Sequence, residues 1–125
     1  MARLNHDRAN ILIVDDESGP QCVIRFILSP FFTVFTADSG CIALTILEQQ
    51  HIDLVTLDER LPDHSGLALL SEIKRQYPDL AVVMVTGYGT LGSATEALQL
   101  GAAGYLLKPF NMADLLDMIK TCLGE

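Results

Sequence analysis

The chain has 125 residues, half of them hydrophobic and 19% charged, which suffices for one ordinary domain with a full core and argues against disorder. Its net charge is -8 and no basic stripe is visible, so direct contact with DNA or RNA is not expected. No apolar run reaches membrane-spanning length and Met1 to Asn10 lacks the apolar stretch of a signal peptide, so the expected setting is the cytoplasm, with no membrane partner.

Residues 1–9 read as a polar leader, and residues 10–125 as a single domain. Ile11-Leu12-Ile13-Val14 is apolar throughout, as suits a strand covered on both faces. It ends in Asp15-Asp16-Glu17, three adjacent acids that repel one another unless a cation neutralises them. Ser18-Gly19-Pro20 opens a helix with proline in its first turn; Val23, Phe26 and Ile27 have helical spacing, and Pro30 ends the run. Thr33 to Ala37 alternates like an edge strand, and Asp38-Ser39 caps a second helix with Ile42, Ala43, Ile46 and Leu47 on one face. Leu54-Val55-Thr56-Leu57 is a buried strand that ends abruptly at Asp58, with loop residues from Glu59 to Gly66. A third helix follows, with Leu67, Leu70 and Ile73 apolar, and stops at Tyr77-Pro78. Ala81 to Val85 is a fourth strand, ending in the glycine-punctuated turn Thr86-Gly87-Tyr88-Gly89-Thr90. Leu91 to Leu100 is a helix with Leu91, Ala94, Ala97 and Leu98 in register and Glu96 as its only charge, terminated by Gly101. Gly104 to Leu107 is a fifth strand ending at Lys108-Pro109-Phe110, and Asn111 caps a last helix with Leu115, Leu116, Ile119 and Cys122 on one face.

Five alternations of strand and helix predict an α/β fold, a doubly wound five-stranded parallel sheet with helices on both sides. Every notable polar residue then occupies an equivalent place: Asp15 and Asp16 after the first strand, Asp58 after the third, Thr86 after the fourth, Lys108 after the fifth. In an open parallel sheet those ends share one edge, where ligands sit. Hard carboxylate oxygens suit Mg²⁺, which keeps waters and favours phosphate. Asp58 is the nucleophile of this set, able to form an acyl phosphate, with Lys108 as a fixed positive charge and Thr86 as a hydroxyl donor. The cysteines, Cys22, Cys41 and Cys122, lack metal spacing and are expected to be buried or half-buried free thiols. His6, His51 and His64 are expected to face solvent without ligand-like neighbours.

Over Asn10 to Leu123 the chain resembles the response-regulator receiver domains of two-component signalling, as in the chemotaxis regulators. The matching pieces are Asp15-Asp16, Asp58 followed by Leu61-Pro62 and Gly66, Thr86-Gly87, and Lys108-Pro109-Phe110. The resemblance implies the flavodoxin-like strand order 2-1-3-4-5 and transfer of a phosphoryl group to Asp58 from a sensor histidine kinase. It implies Mg²⁺ held by Asp16 and Asp58 directly, by Asp15 mainly through water, and by the backbone carbonyl of Arg60. It implies a cis bond before Pro109, and a switch in which Thr86 moves toward the phosphoryl group and Tyr105 turns inward. That switch would remodel the surface of the fourth helix, fifth strand and fifth helix for an output domain or effector protein, or for a phosphorylation-dependent homodimer. Arg60 and Tyr88 stand where the family tunes water access to the acyl phosphate, and the run Val85 to Thr90 is similar to receivers joined to sigma-54-type activators and to some hybrid kinases.

Three other functions fit less well. A receiver-like module that only binds a partner usually lacks the acids, the threonine or the lysine, and all are present here. A flavin carrier wants a hydroxyl- and glycine-rich phosphate loop where Asp15-Asp16-Glu17 stands. An aspartyl-phosphate hydrolase generally has a second aspartate two residues after the nucleophile, where this chain has Arg60. The expected protein is a switch that catalyses only its own phosphorylation and dephosphorylation, not a metabolic enzyme.

Overall fold

The computed structural model describes residues 8–124. The strands are β1 (Asn10–Val14), β2 (Thr33–Ala37), β3 (Leu54–Leu57), β4 (Ala81–Thr86) and β5 (Gly104–Leu107). Between and after them lie α1 (Ser18–Leu28), α2 (Gly40–Gln49), α3 (Gly66–Gln76), α4 (Leu91–Gln99) and α5 (Met112–Cys122). All strands pair in parallel in the order β2-β1-β3-β4-β5, the flavodoxin-like order. The expected leader lies largely outside the described residues, as does His6. Ala9, counted with that leader, is buried, and its carbonyl accepts the Thr33 N–H.

Alternation along the strands divides the core in two. Leu12, Val14, Val55, Leu57, Val82 and Met84 face one side, where Ala43 and Leu47 of α2, Leu69, Leu70 and Ile73 of α3 and Ala97 of α4 cover them. Ile11, Ile13, Leu54, Val83 and Val85 face the other, under Ile24, Ile27 and Leu28 of α1 and Leu115 and Ile119 of α5. This is why the central strands read as unbroken apolar runs: both faces are covered.

The helix ends follow the sequence signals. Ser39, Ser65 and Asn111 accept the backbone N–H groups of Ile42, Ala68 and Asp114. Thr90 and Ser93 form a reciprocal capping box at the start of α4. Gly101 ends α4 with φ +102°, and the pair of bonds from Gly101 N–H to Leu98 and from Ala102 N–H to Ala97 is a Schellman turn.

One helix sits differently from its expected register. In α1, Val23 and Phe26 point outward and Ile24, Ile27 and Leu28 inward. The segment carries apolar residues on two adjacent faces, and either satisfies helical spacing; packing against the sheet chose one. The fourth helix also buries only Ala97 of its expected set, with Ala94 half-covered and Leu91 and Leu98 exposed. Cys22 and Cys41 are exposed rather than buried, because they fall on the solvent sides of α1 and α2; Cys122 is half-covered, as expected.

Candidate functional site

The register of the sheet delivers the polar residues to one edge. Val14 pairs with Leu57, so Asp15 and Asp58 leave adjacent strands at the same level. The Asp58 N–H still bonds to the Val14 carbonyl, and the Asp15 N–H to that of Ala37, so both carboxylates stand on anchored backbone. Thr86 pairs with Leu107, and the Lys108 N–H donates to the Thr86 carbonyl at 2.9 Å. The edge lies where β1 and β3 part to opposite sides, the usual crevice of an open parallel sheet.

The side chains converge. Lys108 Nζ donates to Asp15 Oδ2 at 2.6 Å and to Asp58 Oδ2 at 3.4 Å. The peptide bond between Lys108 and Pro109 is cis, as the resemblance implied. The other Asp15 oxygen, Oδ1, accepts the Glu17 N–H at 3.0 Å. Asp58 Oδ1 is buried without a hydrogen-bond partner among the described residues. A buried carboxylate oxygen left unpaired is costly, and in a native site a catalytic role or a bound water or ion is what accounts for one. Asp15, Asp16, Glu17 and Asp58 each offer an oxygen within 4.8 Å of the others. Asp15 and Asp58 are buried, whereas Asp16 and Glu17 open to solvent.

Charge balance points the same way. Burial raises the Asp15 carboxyl above the ordinary carboxylate range; Lys108 and the Glu17 N–H pull it down, and the Asp58 charge pushes it up again. Burial alone would lower the Lys108 ammonium, but its bond to Asp15 and the charges of Asp15 and Asp58 outweigh this and raise it. An ion pair alone would lower the acid and raise the base. Asp15 rises chiefly because it is buried, with the Asp58 charge adding to this, whereas Lys108 rises because two carboxylates face its ammonium. The donor set, hard oxygens with one buried oxygen unpaired, fits Mg²⁺.

Three further residues named in the sequence analysis are Thr86, Arg60 and Tyr105. Thr86 is fully buried, and its Oγ1 accepts the Tyr88 N–H at 3.1 Å. Arg60 is exposed, with its guanidinium carbon 3.8 Å from the centre of the Tyr88 ring. Tyr105, on the edge strand β5, is half-buried and donates to Glu59 Oε1 at 3.0 Å. Glu59 and Asp63 were not singled out in the sequence, although both lie in the loop after Asp58. Asp63 Oδ1 and Oδ2 accept the N–H groups of Gly40 and Cys41 at 2.8 and 2.9 Å, tying that loop to the start of α2. Nothing local signals such a cap, because Asp63 lies more than 20 residues in sequence from both Gly40 and Cys41. His51 faces solvent as expected and His64 is half-covered, but each has an acidic neighbour: His51 Nε2 lies 3.0 Å from Asp53 Oδ1, and His64 Nδ1 lies 3.2 Å from Asp63 Oδ1.

A parallel sheet of this order, with a carboxylate cluster and a lysine at its carboxyl edge, defines the phosphoacceptor switches of two-component signalling. The chain belongs to the response regulator receiver domain family, whose pattern it matches over residues 11–120. It is 35% identical to the transcriptional regulatory protein ZraR of Escherichia coli K12 over 123 residues, which is 98% of this chain and 28% of that protein. It is 39% identical to the alginate biosynthesis transcriptional regulatory protein AlgB of Pseudomonas putida over 110 residues, covering 87% of this chain and 25% of that one. The chain thus spans about a quarter of the length of these curated relatives. The crystal structure of a CheY-like receiver domain from Methanospirillum hungatei superposes with a TM-score of 0.89 at 34% identity, covering 94% of each chain. Receiver domains are in general signalling modules rather than enzymes, and they work between histidine kinases and output domains. Among the described residues no helix is long and apolar enough to cross a membrane.

Proposed function

We propose that Asp58 is the phosphoacceptor, and that the unpaired Asp58 Oδ1 is the atom that carries this reading. Oδ1 attacks the phosphorus of a phosphohistidine on a sensor kinase. The P–O bond forms as the P–N bond breaks, and the electron pair leaves with the imidazole nitrogen. Lys108 meets the negative charge of the phosphoryl oxygens from the Asp15 and Asp58 side. Thr86 Oγ1 already accepts from Tyr88, which leaves its own proton without an acceptor among the described residues and able to reach a phosphoryl oxygen. Mg²⁺ would be held by Asp16, Asp58 and the Arg60 backbone carbonyl, with Asp15 acting through water. The engagement of both Asp15 oxygens by protein donors supports that indirect role. When bound, the ion supplies neutralising charge to the acids and to the phosphoryl oxygens.

The output surface is that of α4, β5 and α5, where Leu91, Leu98, Leu107 and Met112 are all exposed. An output domain, an effector or a second copy of the chain would meet it there, with Thr86 and Tyr105 as the switching pair. We place residues 10–125 as the receiver unit and the cytoplasm as its setting. Intact mass after incubation with a small-molecule phosphodonor and Mg²⁺ tests the assignment. Wild type is expected to gain one phosphoryl group and Asp58→Asn none. An adduct on both proteins, or on neither, overturns it.

A further inference from the structure

The hydroxyl of Tyr105 is held from three sides. It donates to Glu59 Oε1 at 3.0 Å and lies 2.9 Å from Ser93 Oγ. It also lies so close to Gly89 that a Cβ there would come within 2.5 Å of it. Each neighbour belongs to a different part of the machinery. Glu59 is joined to Asp58 by a single peptide bond. Ser93 belongs to the capping box that starts α4, giving its N–H to Thr90 Oγ1 and accepting the Thr90 N–H, both at 3.0 Å. Gly89 lies in the turn that follows Thr86.

The Glu59 backbone cannot drift independently of the site. Its carbonyl accepts the Gly66 N–H at 2.7 Å. A Cβ on Gly66 would sit 2.2 Å from the Asp58 carbonyl oxygen and 2.5 Å from the Glu59 Cα, so this loop is packed backbone on backbone. Burial, with the nearby Glu59 charge adding to it and Ser93 opposing it, keeps the Tyr105 phenol protonated above its ordinary range, as a donor must be.

We propose that Glu59 is a positioning residue, a carboxylate latch that connects the phosphoacceptor loop through the Tyr105 hydroxyl and Ser93 to the N-terminus of α4. A shift of the loop after Asp58 is thereby carried to the first turn of α4 by two hydrogen bonds, in addition to any movement of Thr86. The latch rests on Asp58 being the phosphoacceptor. It needs an acceptor at residue 59 and a hydroxyl at residue 105, and neither alone suffices.

The test is amide hydrogen exchange at Thr90 and Ser93 in the full chain, without phosphodonor and then with beryllofluoride, a phosphoryl mimic, and Mg²⁺. Loss of one hydrogen bond of ordinary strength corresponds to about fivefold faster exchange. Glu59→Ala and Tyr105→Phe are each expected to show about that increase at these two amides, with Glu59→Gln between wild type and Glu59→Ala. The double variant is expected to exchange no faster than either single one, because both remove the same link. Beryllofluoride should change the α4 amides of wild type and leave those of Glu59→Ala at most half as responsive. Multiplied effects in the double variant, unchanged exchange in Glu59→Ala, or a rise spread evenly over the whole domain each overturns the latch. Phosphodonor labelling of the same samples separates the two ideas. Adduct on Glu59→Ala with unaltered α4 exchange removes the latch alone, whereas no adduct on wild type removes the phosphoacceptor and the latch with it.

Discussion

At the scale of single residues, the loop between Asp58 and Gly66 has little freedom, and two residues, Asp63 and Gly66, report on it. Asp63 accepts two backbone N–H groups at the start of α2, where the helix dipole favours negative charge. The Gly40 N–H, helped by the Cys41 N–H and His64, lowers its carboxyl from 3.8 to about 2. A depressed folded value gives stability that is present above the unfolded value and disappears as pH falls through the folded one, here between about pH 4 and pH 2. The difference in thermal midpoint between wild type and Asp63→Ala should therefore shrink across that window. A difference constant with pH would show that the charge of Asp63 does not hold α2. Gly66 tests the opposite property, absence of bulk. An added methyl meets backbone, not a flexible side chain, so Gly66→Ala is expected to cost about 1–3 kcal/mol in urea denaturation and to slow phosphorylation of Asp58. Unchanged labelling in that variant would mean that the loop can yield without moving the acceptor.

At the scale of elements, the outward face of α1 is the informative departure from expectation. Phe26 is 77% exposed and Val23 53%, although both are spaced as core residues. Val23 also borders a hollow of about 270 Å³ lined by Pro20, Lys108, Pro109 and Phe110, which places an apolar surface beside the lysine of the site. A kinase presenting a phosphohistidine to Asp58 would cover that surface. Val23→Ser with Phe26→Ser should leave folding stability within about 0.5 kcal/mol, as for other surface changes. It should slow transfer from a phosphorylated kinase domain while leaving labelling by a small phosphodonor unchanged. Equal slowing with both donors would place the effect in the site and not in docking. The α4 helix shows the same division: its first turn is fixed by side-chain bonds, but only Ala97 is buried, so little apolar packing anchors it. That light anchoring is what an element needs if it is to move.

At the scale of the molecule, stability lies in the two apolar layers and chemistry lies at one edge, so the two can be altered separately. Leu70, on the inner face of α3, is fully buried in the layer that holds Leu12, Val55 and Met84. Leu70→Ala should cost about 2–5 kcal/mol by urea denaturation while the folded fraction still accepts phosphoryl on Asp58. A loss below about 1 kcal/mol would show that the layer collapses around the gap.

The sequence by itself determined the sheet, its five strands and the gathering of Asp15, Asp16, Asp58, Thr86 and Lys108. Each of those rests on local pattern: an apolar run covered on both faces, a polar residue where it stops, and a parallel order that sends all such ends to one side. Only the tertiary structure decided the rest. It chose between two apolar faces of α1, left Cys22 and Cys41 outside, stacked Arg60 on Tyr88, and brought Glu59 to Tyr105 across 46 residues of chain. Periodicity states which residues can share a face, but a carboxylate meets a distant hydroxyl only after the strands have fixed the distance between them.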